Sequence, residues 1–175
     1  MENISLFKPV PGAELFVERQ GCFSPSYTLT DGMNTFGELS YTGVWKNIGL
    51  VEAANQGWTI ERVRKFFSRD ILINETATGQ AIAIIKTTAW RGIVTLEFTD
   101  GQVFRFIRQG LFSQVTQWDS EQYGPVLSIK TKAFGFKKHF TVGLEQNVFK
   151  NKNYAVLMAF TGVYLILVQR AQAAV

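Results

Sequence analysis

Tyr154-Ala-Val-Leu-Met-Ala-Phe-Thr-Gly-Val-Tyr-Leu-Ile-Leu-Val168 is a continuous apolar segment near the C-terminus, and its reading decides the fold. The chain before it reads mostly as short β-strands. Two readings are open: a helix that lies in a bilayer, or a helix that the strands enclose. At about 1.5 Å per residue the segment spans roughly 23 Å, short of a hydrocarbon core of about 30 Å. Lys152 and Asn153 precede it and Gln169 and Arg170 follow, so a longer apolar run would bury charge. The length favours enclosure by protein, as a central helix over residues 153–169. A helix that is apolar on every face needs protein around all of it. Thr161 and Gly162 would let a backbone or a bulky ring come close. Tyr154, Lys150, Lys152 and Arg170 also match the flanks of a tail anchor, a reading that leaves a β domain in the cytoplasm.

Composition fits one domain over residues 1–175, long enough for a sizeable core. Fifteen phenylalanines provide more bulk than a thin sandwich uses, and only 18% of residues are charged, so much of the chain is interior or faces a partner. The formal net charge of +4 is mild, compatible with an anionic partner and equally with plain solubility. The single Cys22 excludes an internal disulfide framework. Met1-Glu2-Asn3 lacks the basic-then-apolar pattern of a cleaved leader, so the expected location is cytoplasmic, with a peripheral membrane position as its variant.

Turn signals recur between alternating runs rich in β-branched and aromatic residues, the mark of hairpins. Ile93–Thr99 and Gln102–Ile107 flank Asp100-Gly101, which predicts a two-residue type I′ turn. Val94, Leu96 and Phe98 share one face, continued by Phe104 and Phe106, while Arg105 points away. Further hairpins are expected for Asp70–Lys86 with Gly79 in the turn, for Leu111–Thr131 turning between Asp119 and Gly124, and around Tyr27–Gly32. Phe134–Phe140 and Thr141–Phe149 read as the last two strands; Trp58–Ser68 reads either as a helix capped by Thr59 with Ile60, Val63 and Phe67 on one side or as a strand, and its strand surroundings favour the strand.

A series of hairpins followed by an almost wholly apolar terminal helix, Asn153-Tyr-Ala-Val-Leu-Met-Ala-Phe160 and onward, resembles the tubby C-terminal-like superfamily, which includes tubby domains, phospholipid scramblases and LURP-one-related proteins. The resemblance implies a mainly β fold, a closed antiparallel barrel of about twelve strands around a central hydrophobic helix, with no exposed edge strand. It also implies binding of anionic phospholipid headgroups through basic side chains on the barrel.

The residues themselves point away from catalysis. His139 is the sole histidine and lies beside Lys137 and Lys138, without a second histidine or a nearby thiol to build a triad or a zinc site. No glycine-rich phosphate loop occurs. Neither a metal nor a cofactor is expected, and the chain reads as a non-enzymatic binding or scaffold domain. Two basic clusters stand out: Arg62, Arg64, Lys65 and Arg69, then Lys130, Lys132, Lys137 and Lys138. Of these Arg62, Arg64, Lys65, Arg69, Lys137 and Lys138 are the candidate headgroup ligands, each worth about 1 kcal/mol near a charged membrane. The competing reading makes them the solvent face of a sheet, because Glu61, Asp70 and Glu75 interleave with the first cluster. The expected partner is an anionic phospholipid or membrane surface, with a protein-interaction module as the alternative. Nucleic acid ranks third, because stacking aromatics cannot be told from the core phenylalanines. Trp45, Trp58, Trp90 and Trp118 read as barrel filling or rim residues.

Overall fold

Alternation of apolar and polar residues carries through twelve strands, and the sheet they form closes on itself. The computed structural model describes residues 4–8, 12–21, 24–42, 48–63, 70–88, 93–110, 113–131, 138–145, 149, 151 and 153–173. In chain order the elements are β1 (Glu14–Gln20), β2 (Ser26–Thr30), β3 (Thr35–Thr42), β4 (Ile48–Ala53), β5 (Gln56–Arg62) and β6 (Ile71–Glu75). They continue with β7 (Ala81–Thr88), β8 (Ile93–Phe98), β9 (Val103–Arg108), β10 (Val115–Ser120), β11 (Gly124–Thr131), β12 (Lys138–Leu144) and α1 (Asn153–Ala173). Sequence neighbours pair antiparallel throughout, and β1 meets β12 with Leu15 opposite Val142 and Val17 opposite Phe140. Closure leaves no edge strand to recruit another chain.

The barrel is filled by α1. Every residue from Ala155 to Ile166 is buried, surrounded by inward side chains such as Leu39, Val51, Ile60, Ile73, Leu96 and Ile129. The helix has 21 residues, because Gln169–Ala173 continues it with good helix formers and Arg170 in the last turn offsets the negative end of its dipole. At about 1.5 Å per residue it is roughly 31 Å long, so the argument from shortness fails. By length and composition the helix could cross a membrane. What decides against the anchor reading is the wall around it.

Glycine and indole fix the helix against that wall. The Trp118 Nε1–H donates to the Met158 carbonyl at 3.0 Å, inside the core. A Cβ on Gly162 would sit 3.1 Å from that nitrogen and 2.3 Å from Ile129 Cδ1, so the absence of a side chain is what lets the strands reach the helix backbone. From another strand, a Cβ on Gly37 would lie 2.7 Å from Val156 Cγ1. Outside the barrel, Ser5 donates its N–H to the Thr35 carbonyl and Phe7 packs edge-on against Phe36, so the N-terminal segment covers the outer face of β3.

Two expectations need correction. Phe134–Phe149 does not make two strands: among the described residues it supplies β12 alone. The Asp100-Gly101 turn is not type I′. Only Gly101 has positive φ, the Gly101 N–H bonds the Phe98 carbonyl and the Phe98 N–H bonds the Gln102 carbonyl, so a type I turn is closed by a glycine bulge. The strand reading of Trp58–Ser68 holds through Arg62, and residues 64–68 lie outside the described ones.

Candidate functional site

Even-to-odd strand connections gather at the end where α1 starts, and odd-to-even connections at the end where it finishes. The first, the turn end, is tied shut. Asn153 Nδ2 donates to the Ala54 carbonyl at 3.1 Å and to Gln56 Oε1 at 3.2 Å, and Asn151 Nδ2 reaches the same Gln56 oxygen at 3.0 Å. Asn151 Oδ1 accepts the Asn153 N–H, satisfying a first-turn donor that the helix cannot. Gln56 Nε2 and Thr78 Oγ1 both donate to Glu75, and Tyr154 stacks on Phe98. Asp31, Glu75, Asp100, Asp119, Glu121 and Glu145 stand on or beside these turns, with Arg105 paired to Glu121.

At the opposite end three inward files of the barrel, on β1, β5 and β9, finish in arginine. Side chains two residues apart on a strand share a face. Val17 leads to Arg19, Trp58 and Ile60 to Arg62, and Phe104 and Phe106 to Arg108, each arginine exposed at the mouth while its predecessors are buried. Arg170, in the last turn of α1, brings a fourth guanidinium and lies 5.8 Å over the Phe140 ring. Tyr27, Tyr41 and Tyr164 form the floor beneath, Tyr41 stacked on Tyr164 and edge-on to Tyr27. Burial pushes all three phenols above their ordinary value. For Tyr27 the positive charges of Arg19 and Arg170 partly offset this, and for Tyr164 Arg62 does so by charge and by a hydrogen bond to the phenol. These phenols stay neutral at physiological pH and add no charge to this end.

Beside the helix terminus lies a half-open recess of about 600 Å³. Arg108 and Arg170 stand at its sides with Gln114, Thr116, Thr131 and Gln169, above a floor of Val94, Phe106 and Ile166. Among the described residues no aspartate or glutamate lines it. Arg108 Nε donates to the Ser113 carbonyl at 2.8 Å, which restrains the guanidinium plane of a residue that lines the recess.

Of the expected site residues, Arg62 stands at this mouth, on the inward file rather than the solvent face. Lys130 is exposed near the end of β11, facing outward. Arg64, Lys65, Arg69, Lys132 and Lys137 lie outside the described residues, as do Cys22, Trp45 and Trp90. Lys138 opens β12, and His139 is the residue skipped where the pairing with β1 shifts register; the side chains of both lie outside the description. Trp58 and Trp118 are fully buried, as filling. Among the described residues no group of three His, Cys, Asp or Glu side chains could hold a metal ion. Arg19, Arg108 and Arg170 did not figure among the expected ligands, because they belong to no run of charges. The signal that finds Arg19 and Arg108 is the two-residue spacing from core positions.

No protein-family model, no curated protein and no solved structure matches the chain.

Proposed function

We propose that this chain is a non-enzymatic, tubby-like barrel that docks on anionic phospholipid surfaces through its arginine end, acting peripherally from the cytoplasm. The observation that supports this reading is the separation of charge along the barrel axis. Arg19, Arg62, Arg108 and Arg170 ring one mouth, and the acidic turns occupy the other. Glu18, Glu61 and Asp70 are the acids close to the arginine mouth among the described residues, fewer than the four arginines. A dipolar arrangement of this kind orients the molecule before contact as well as holding it afterwards.

The size of the effect sets what to expect. Four cations near an anionic surface contribute about 4 kcal/mol in total, which corresponds to a dissociation constant near the millimolar range. Binding through these charges is weak, reversible and screened within a Debye length of about 8 Å at physiological salt. The test is flotation of the full chain with phosphatidylserine-containing vesicles, against pure phosphatidylcholine vesicles, over a salt series. Binding to the anionic vesicles alone, falling as salt rises, supports the reading; equal binding to both compositions, or to neither at low salt, contradicts it.

A further inference from the structure

We propose that the recess beside the C-terminus of α1 is a discrete binding site for a phosphate monoester, distinct in kind from the diffuse charge of the mouth around it. This rests on reading the arginine end as an anion-binding surface, and adds the chemical class that one pocket of it takes.

Three features select that class. First, among the described residues the recess is lined by two guanidinium groups and no carboxylate, so it suits a dianion better than a monoanion and disfavours a cation. Arginine forks match phosphate oxygens in bidentate geometry, which a lysine rim would not do. Second, Arg108 is pre-set. Its bond to the Ser113 carbonyl holds the guanidinium plane, so less side-chain freedom is lost when a ligand arrives. Third, a volume of about 600 Å³ exceeds what an inorganic phosphate fills and lies within the range of small-molecule sites. The neutral amides of Gln114 and Gln169 and the hydroxyls of Thr116 and Thr131 are suited to the hydroxyl groups of the esterified alcohol.

One effect opposes the site. The C-terminal end of a helix carries the equivalent of about half a negative charge, and α1 ends at the recess. Two full positive charges outweigh it, and Arg170 stands in the very turn where those carbonyls gather.

A phosphate monoester can arrive as a phosphatidic acid headgroup or as a free ester, and the experiment separates them. Glycerol 3-phosphate is titrated into the full chain by calorimetry, with Arg108→Gln, Arg170→Gln and, as a control on the outer wall, Lys86→Gln. The expected result is saturable binding that each arginine variant weakens by about tenfold or more, the loss typical of a charge-assisted bidentate contact, with Lys86→Gln unchanged. Arg108→Gln also releases the Ser113 carbonyl, so Arg170→Gln serves as the variant that leaves that bond intact. In parallel, vesicles containing phosphatidic acid are compared with phosphatidylserine vesicles of equal surface charge. A preference for phosphatidic acid that Arg170→Gln removes assigns the lipid as the source. Equal binding to the two lipids, with glycerol 3-phosphate still bound, assigns the free ester. Absence of both ester binding and lipid preference overturns the site, even if charge-driven vesicle binding persists. Ester binding without any vesicle binding keeps the site and removes the membrane reading.

Discussion

The turn end and the arginine end are made from the same twelve strands and hold the two ends of one helix, yet they treat polar groups in opposite ways. At the turn end, connections are as short as Ala54-Asn55, and side-chain amides from Asn151, Asn153 and Gln56 are spent on each other, on Glu75 and on backbone. At the arginine end, connections lengthen to the eight residues 63–70, and the guanidinium groups at the mouth lie over a tyrosine floor or beside a recess that no acid among the described residues lines. The difference teaches how a closed barrel can treat its two rims: one ties down the start of the central helix, and the other leaves its guanidinium groups exposed at the mouth.

The largest expected effect lies in what the two ends share. Leu157→Asp and Leu165→Asp each place an unpaired charge in the interior, at positions 0% and 4% exposed. The penalty of several kcal/mol is a large part of a typical stability of about 5–15 kcal/mol, so both variants are expected to lose soluble, cooperative unfolding. An unchanged melting curve for either would mean that the helix is not the core common to both ends.

A smaller loss is expected for Gly162→Ala. Overpacking costs about 1–3 kcal/mol and the gain in helix propensity returns about 1 kcal/mol. Ile129 can swing its terminal methyl aside, but Trp118 is held by its bond to Met158, so the net result is a lower melting temperature in calorimetry. A raised melting temperature would show that the close approach of strand and helix is not required.

The smallest effect comes from the buried phenols, three of them at the arginine end, while Tyr154 at the turn end is raised by burial as well. Tyr27, Tyr41 and Tyr164 at the arginine end have folded-state values raised by burial above 10.0, the value of an unperturbed phenol. Below that pH neither folded nor unfolded chain ionises them, and they contribute no pH dependence. As pH rises through it, the unfolded chain releases protons that the folded barrel retains, so stability falls. Melting temperature followed from about pH 8 to pH 11 should decline at the alkaline end, less steeply in Tyr41→Phe. An identical decline in that variant would remove the Tyr41 phenol from the account.

Much of this architecture is legible in the sequence. The apolar segment at 154–168 and the alternation of Val94, Leu96, Phe98, Phe104 and Phe106 point to strands around a central helix, as found. The end of the helix was not legible, because Gln169–Ala173 is polar or small and only its helix propensity, with the barrel around its start, extends it. The strands β1 and β4 pass unremarked in sequence: in Glu14–Gln20 only Leu15, Phe16 and Val17 are apolar, and Ile48–Ala53 turns back through Ala54-Asn55, which contains no glycine. The candidate site was only partly legible. A run of charges such as Arg62-Val-Arg-Lys65 draws attention, whereas Arg19 and Arg108 are single charges that matter because barrel closure brings strand ends from distant parts of the chain to one rim. Register and closure are non-local, so no window of sequence displays them.

The most direct test exchanges the ends. Arg19→Gln, Arg62→Gln and Arg170→Gln are combined in one protein, Asp100→Asn, Asp119→Asn and Glu121→Gln in another, and both are floated with phosphatidylserine vesicles at low salt after cooperative melting is confirmed. Removal of three cations at about 1 kcal/mol each predicts roughly a hundredfold loss of binding for the first protein, while the second binds as the unaltered chain or more tightly. Unaltered binding by the first protein, or loss in the second alone, would contradict docking through the arginine end.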